Sequence, residues 1–148
     1  MKNSNGFTLM ELLAVITVLG IVIALAVAAV IPQLTKSRKN TFALDVMELA
    51  KAAETKYRAE EATYKLEGDI STGICTNITD LDDYIEKDLT NYSGIIILKS
   101  DTNNPDKIIK EVHIANNRYY YNTSKLSKIT YTDVKDGNSS KLTKSTCN

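Results

Sequence analysis

The sequence of 148 residues has no tryptophan, one histidine and two cysteines. Because the cysteines are far apart and His113 stands alone, the usual Cys/His zinc site cannot be assembled. His113 also has no apparent serine or cysteine partner, so no hydrolase triad is predicted. The 18 basic and 18 acidic residues cancel, so the chain has no net positive charge that would attract nucleic acid. We therefore predict no enzyme, no cofactor, no metal site and no nucleic-acid partner.

Charge is missing from a long stretch near the N-terminus. Residues 12–31 are 20 residues without an ionisable side chain. As a helix they would span about 30 Å, the thickness of a hydrocarbon core. Before residue 36, Lys2 and Glu11 are the only charged side chains. We predict a membrane-inserted helix followed by a soluble domain of balanced charge.

Three interpretations of this segment compete: a removable secretory signal, a plain membrane anchor and a processed filament subunit. Lys2 and the A-x-A sequences at residues 24–26 and 26–28 fit a secretory signal. Against that signal, Glu11 interrupts the start of the apolar region, and the region runs on into an amphipathic helix. A plain anchor explains the length but leaves Glu11 unexplained.

The segment from Gly6 to Glu11 reads GFTLME and precedes the apolar run. It resembles the processing motif of type IV prepilins and pseudopilins, and the resemblance covers about residues 1–56. The resemblance implies that a prepilin peptidase cuts between Gly6 and Phe7 and methylates the new N-terminal Phe7. It also implies a homo-oligomeric helical filament in which Glu11 receives the Phe7 amine of an adjoining subunit. Opposite charges buried together are tolerable, whereas an unpaired buried charge is costly.

Two residues predict a weak stretch in the N-terminal helix. Many members of the family carry a proline at the position of Ala28, whereas this chain has Pro32, one helical turn later. Gly20 costs about 1 kcal/mol in a helix interior. We predict that the helix bends or melts locally between Gly20 and Pro32 inside a filament.

The flanking charges conflict with the expected topology. Lys36, Arg38 and Lys39 follow the apolar run, whereas Lys2 and the initiator amine precede it. The positive-inside rule alone would keep the C-terminal domain in the cytoplasm. The processing motif and the cysteines favour export, so we predict a single-pass bacterial membrane protein with a cytoplasmic N-terminus. Membrane lipid and the pilus assembly machinery are then partners before assembly, and an extracellular surface filament forms afterwards.

Cys75 and Cys147 have a natural use in an exported protein. A disulfide is the expected state, and two free thiols are the alternative. The bridge would tie the penultimate residue to the middle of the chain, and the chain-entropy model assigns about 4 kcal/mol to so long a loop.

The predicted fold is α+β: a long N-terminal helix, with a protruding hydrophobic half, packed through its amphipathic half on an antiparallel sheet of about four strands. Apolar residues of the amphipathic half recur at three- and four-residue steps: Leu34, Phe42, Val46, Leu49, Ala50, Ala53 and Tyr57. The predicted parts are a leader at 1–6, the hydrophobic helix at 7–32 and a globular domain at 33–148. That domain divides into an amphipathic helix (33–62), a loop with a short helix (63–93), and a sheet with a C-terminal tail (94–148).

Local patterns place the smaller elements. Thr79 is the predicted N-cap of the short helix, which runs over 80–89. Asn116-Asn117 is a plausible hairpin turn, because asparagine tolerates positive φ. Strands are predicted at 95–98, 108–115, 118–122 and 128–134, with a turn at 101–105. Residues 133–138 lack the ligand spacing of an EF-hand, and calcium binding there stays an alternative.

The function implied by the resemblance is that of a structural subunit of a type IV pilus, used for adhesion, motility or aggregation. A pseudopilin of a type II secretion or DNA-uptake system would share every N-terminal feature. A non-filamentous, membrane-anchored binding domain is the second alternative, and it predicts that Glu11 is dispensable.

Overall fold

The computed structural model describes residues 8–63 and 68–147. The chain divides into two compact units, of which the first ends at Ser37 and the second begins at Arg38. One helix, α1 (Leu9–Ala62), contributes to both units. Each unit is described by itself.

The described part of the N-terminal unit consists of Thr8 and the first part of α1. Every described side chain from Thr8 to Ser37 is exposed. The large apolar side chains between Leu9 and Leu34 are 49–83% exposed. Among the described residues, α1 is the one helix long and apolar enough to cross a membrane.

The C-terminal unit is a helix packed on an antiparallel sheet, and the α+β prediction is confirmed. Within the described residues the sheet has five strands in the order β1-β2-β3-β4-β5. They are β1 (Ile74–Asn77), β2 (Ser93–Asp101), β3 (Asn104–Ala115), β4 (Tyr119–Thr123) and β5 (Lys135–Asp136). All neighbouring strands are antiparallel.

Two periodicities build the core of this unit. Alternate residues of β2 and β3 face the helix, so Ile96 lies opposite Val112 in the register and both are fully buried. The helix contributes one apolar stripe, since residues three and four apart lie on the same face. Six of the seven predicted stripe residues are buried: Phe42, Val46, Leu49, Ala50, Ala53 and Tyr57. The seventh, Leu34, belongs to the N-terminal unit and is 49% exposed.

The segment before β2 differs from its prediction. β1 lies inside the predicted loop and pairs with the middle of β2, as in Cys75 opposite Ile97. The short helix is a 3-10 helix, Ile78–Tyr84, whose N-cap is Asn77 rather than Thr79. Its buried residues, Ile78 and Leu81, are three apart, and this spacing fits three residues per turn.

The strand predicted at 128–134 is wrong. Asp133 accepts hydrogen bonds from the backbone N and the Oγ1 of Thr130, both at 2.8 Å, and these contacts form a turn. Ile129 and Val134 are nevertheless buried. These two buried side chains account for the apolar pattern of residues 128–134, which the sequence analysis interpreted as a strand.

The hairpins follow the predictions more closely. β2 and β3 extend further than predicted and leave Thr102 and Asn103 between them. Residues 116–118 join β3 to β4, where Asn116 Oδ1 accepts from the backbone N of Arg118 at 2.9 Å and of Tyr119 at 2.7 Å. The asparagine side chain therefore organises the turn.

Candidate assembly site

Helix α1 begins with a reciprocal cap. The N and Oγ1 of Thr8 each donate to Oε2 of Glu11 at 2.8 Å, and the N of Glu11 donates to Thr8 Oγ1 at 3.3 Å. This is the capping box, in which Ser or Thr at the N-cap and Glu three residues later satisfy each other's backbone N–H groups. Sequence reasoning missed this role of Glu11, although the T-x-x-E spacing was a sufficient signal.

The cap uses one of the two carboxylate oxygens of Glu11. Both hydrogen bonds from Thr8 end on Oε2. No donor among the described residues lies within hydrogen-bond distance of Oε1. An ionised carboxylate has about four acceptor sites. Glu11 can therefore cap its own helix and still accept a hydrogen bond from an incoming cation.

The apolar surface behind Glu11 surrounds the helix. Between Leu12 and Ile31 the exposed large side chains do not form a single stripe, because they occur at nearly every position around the helical turn. A helix that is apolar on all sides is normally covered, either by lipid or by other helices.

The structure describes only some of the other residues predicted to act in the N-terminal region. Gly6 and Phe7 lie outside the described residues, so their processing stays a prediction. Gly20 and Pro32 both lie within α1. The bend predicted for them stays a prediction.

Residues 1–27 match a family model described as the prokaryotic N-terminal methylation motif. The chain carries a class III prepilin signal. No match was found among curated proteins or among solved structures. The prepilin signal supports a type IV pilin-like or pseudopilin protein, which is a structural subunit. It implies processing by a prepilin peptidase and assembly into pilus-type oligomers.

The C-terminal tail is bonded to the sheet. Cys75 of β1 and Cys147 form a disulfide across a sequence separation of 72. The backbone N of Cys147 also donates to Oδ1 of Asn77 at 3.3 Å. The bridge therefore fixes the end of the described chain to the edge strand β1.

A buried carboxylate holds the tail at a second point. Glu111 of β3 is 8% exposed and accepts from Lys144 Nζ at 2.6 Å, from His113 Nε2 at 2.9 Å and from Lys99 Nζ at 3.1 Å. Burial by itself raises the pKa of Glu111. The hydrogen bonds from Lys144, His113 and Lys99 outweigh burial and hold that pKa at about 2. The carboxylate is therefore ionised at neutral pH.

His113 connects the same strand to the tail. It is buried in β3, and its Nδ1 lies 2.8 Å from Thr143 Oγ1 and 3.1 Å from Asn122 Oδ1. Asn122 in turn donates through Nδ2 to the carbonyl of Lys141 at 3.0 Å. The strand predicted at 108–115 includes His113, and no site was predicted at this residue. Its alternation with buried Val112 and Ile114 placed it on the opposite sheet face, but nothing local identified the tail as its partner.

A second buried acid joins the helix to the segment before β2. Asp45 of α1 is 7% exposed and accepts hydrogen bonds from Lys87 Nζ and from the hydroxyl of Tyr92. Burial and the neighbouring Asp45 carboxylate raise the pKa of Tyr92 above its ordinary value. The hydroxyl therefore stays protonated and continues to donate.

The described residues contain no group of three or more His, Cys, Asp or Glu side chains that could hold a metal ion. In the segment considered for calcium, Asp133 is engaged with Thr130 in the turn described above.

Proposed function

We propose that this chain is the structural subunit of a type IV pilus. It is stored in the membrane as a prepilin and cut between Gly6 and Phe7, and Phe7 is then methylated. The mature subunit polymerises through α1 into an extracellular filament for adhesion, motility or aggregation. The observation that carries the proposal is the apolar surface of α1, exposed on all sides directly behind Glu11, whose Oε1 has no hydrogen-bond donor among the described residues.

The exposed apolar surface is suited to two successive environments, the membrane and the filament. In the membrane, lipid covers residues 12–31, whose helical length of about 30 Å matches the hydrocarbon core. In the filament, the same surface is covered by the helices of other subunits. The buried stripe of the C-terminal unit needs neither, because its own sheet already covers it.

Glu11 supplies the directional contact. Cleavage after Gly6 converts the amide nitrogen of Phe7 into an amine, which is positively charged at neutral pH. An adjoining subunit shifted along the axis delivers that amine to Oε1 of Glu11, while Oε2 remains bonded to Thr8. Because donor and acceptor lie on different patches of the subunit, the contact is heterologous and propagates as an open helix.

Two measurements test the proposal together. Mass spectrometry of the mature N-terminus should find an N-methylated Phe7, and electron microscopy should find surface filaments that contain this chain. A start at Val27 or Ala29 would indicate a secretory signal instead, and a retained Met1 a plain anchor. Correct processing without surface filaments would favour a pseudopilin.

A further inference from the structure

An open groove of about 470 Å³ lies in the C-terminal unit, between the first residue of its helix segment and the β3–β4 turn. Two of the three arginines of the chain, Arg38 and Arg118, line this groove. Asn91 and Asn117 also line it, and Asn117 Nδ2 donates to Asn91 Oδ1 at 3.0 Å. The fold thus gathers hydrogen-bond donors from distant parts of the sequence.

The two guanidinium groups are not used in ion pairs within the described chain. No described acidic oxygen lies within 4 Å of either of them, whereas the third arginine, Arg58, binds Glu54 at 2.7 Å. The neighbouring Lys39 is likewise engaged, with Asp136 at 2.8 Å. An arginine presents a rigid fork of N–H donors that matches the oxygens of phosphate or carboxylate. The groove therefore has the chemistry of an anion site.

The position of Arg38 in the chain indicates which anion is available. Arg38 follows Ile31, the last residue of the apolar run, by seven residues. In α1 that separation is about 10 Å along the helix axis. The headgroup layers begin at the edge of the hydrocarbon core, which is about 30 Å thick within a bilayer of about 40–45 Å. When residues 12–31 occupy the core, the backbone of Arg38 lies a few Å outside the headgroup layer, and its long side chain extends back to the lipid phosphates.

We propose that this groove binds the phosphate of an anionic phospholipid in the outer leaflet while the subunit is stored in the membrane. The proposal rests on the membrane storage in the proposed function. It gives a physical reason for Arg38, one of the basic residues that follow the apolar run against the positive-inside rule: its guanidinium binds an outer-leaflet headgroup. Assembly then requires the subunit to release that lipid.

Native mass spectrometry of the full-length precursor in detergent tests the site, with equal amounts of phosphatidylglycerol and phosphatidylcholine added. We expect wild type to retain phosphatidylglycerol preferentially. Arg38→Gln and Arg118→Gln should each lower the ratio of retained phosphatidylglycerol to phosphatidylcholine about fivefold. Arg118→Lys, which keeps the charge without the fork, should fall between wild type and Arg118→Gln. The matched control is Arg58→Gln, which removes the same charge outside the groove and should leave the ratio unchanged.

Each contrary outcome has a distinct meaning. An equal loss in Arg58→Gln would show nonspecific attraction and overturn the site. Displacement of the lipid by equimolar inorganic phosphate would reassign the groove to free phosphate. An unchanged lipid ratio with lost filaments in Arg118→Gln would assign the groove to an acidic side chain of a second subunit. Since Arg118 is an exposed turn residue, an intact disulfide and protease resistance confirm folding of the variants. Lipid retention is measured on the uncut precursor and does not depend on assembly. The lipid site can therefore be absent in a subunit that forms filaments, and it can be present in a subunit that forms none.

Discussion

Two leucines of the same helix are in opposite situations. Leu19 in the N-terminal unit is 54% exposed, whereas Leu49 in the C-terminal unit is fully buried. Two glutamates repeat the contrast, because Glu11 has an oxygen without a described partner, whereas Glu111 is surrounded by three donors. Secondary structure does not distinguish the two leucines, because both lie in α1. The difference is that the C-terminal unit completes its contacts within one chain, whereas the N-terminal unit presents surface that lipid or other subunits must cover.

The largest expected effect is at Glu11, where the contrast predicts a function outside the single chain. Glu11→Ala should abolish or strongly reduce filaments, because the incoming Phe7 amine would be buried without a counter-charge. Membrane insertion and cleavage after Gly6 should persist, so cleaved subunit should accumulate in the membrane. Electron microscopy of the cell surface and mass spectrometry of the membrane fraction measure the two results.

Glu11→Gln separates the two roles of this residue. Glutamine also serves at the third position of a capping box, so this variant keeps the cap with Thr8 but loses the charge. If pairing with the amine drives assembly, Gln and Ala should be equally defective. Normal filaments in Glu11→Gln would reduce Glu11 to a helix cap. The control is Glu48→Ala, which removes an exposed acid from the same helix in the C-terminal unit.

The disulfide should matter only to the C-terminal unit. The double variant Cys75→Ser/Cys147→Ser should lower its free energy of unfolding by about 4 kcal/mol, because the unfolded chain regains the entropy of a long closed loop. Urea unfolding followed by tyrosine fluorescence measures this change selectively, since all eight tyrosines lie at residue 57 or later and tryptophan is absent. A reducing agent should produce the same change in wild type and none in the double variant. An unchanged urea midpoint would contradict the prediction.

The two leucines test this contrast directly. Leu49→Ala should lower the free energy of unfolding of the C-terminal unit by about 3 kcal/mol, because it leaves a cavity in the core. Leu19→Ala and Leu44→Ala, both at exposed positions, should each change it by less than about 0.5 kcal/mol. The same tyrosine signal measures all three variants. A large loss in Leu19→Ala would mean that the N-terminal unit contributes to the stability of the C-terminal unit.

The sequence predicted the parts of the molecule that depend on local periodicity. The end of α1 at Ala62 and most of its buried stripe follow from three- and four-residue spacing, and β2, β3 and β4 follow from runs of β-branched and aromatic residues. Short β1 was missed because four residues, of which three are half-buried and one is buried, carry little pattern. The strand predicted at 128–134 failed for the reverse reason, since Ile129 and Val134 gave an apolar signal that irregular chain also produces.

The tail contacts could not be predicted because they depend on long-range register. Glu111 and His113 lie on one face of β3 by simple alternation. Their partners, Lys144 and Thr143, become neighbours only once the tail is bonded to β1. The predicted disulfide tied Cys147 to Cys75, but Cys75 was placed in a loop and not in β1, so the sequence could not bring the tail to Glu111 and His113.

The smallest expected effect is the pH dependence that Glu111 confers on the C-terminal unit. Its pKa is about 2 in the folded chain, against an ordinary value of 4.5. A carboxyl with a depressed folded pKa stabilises the fold fully above pH 4.5, and the stabilisation is lost as the pH falls toward 2. The expected loss is about 2 kcal/mol, after a discount for the solvent exposure of Lys99 and Lys144. Urea unfolding between pH 7 and pH 2 should therefore show a falling midpoint in wild type and a flatter profile in Glu111→Gln. The control is Glu86→Gln at an exposed position, whose pH profile should follow that of wild type. An equally flat profile in Glu86→Gln would assign the pH dependence to general charge repulsion and not to the buried contact of Glu111 with the tail.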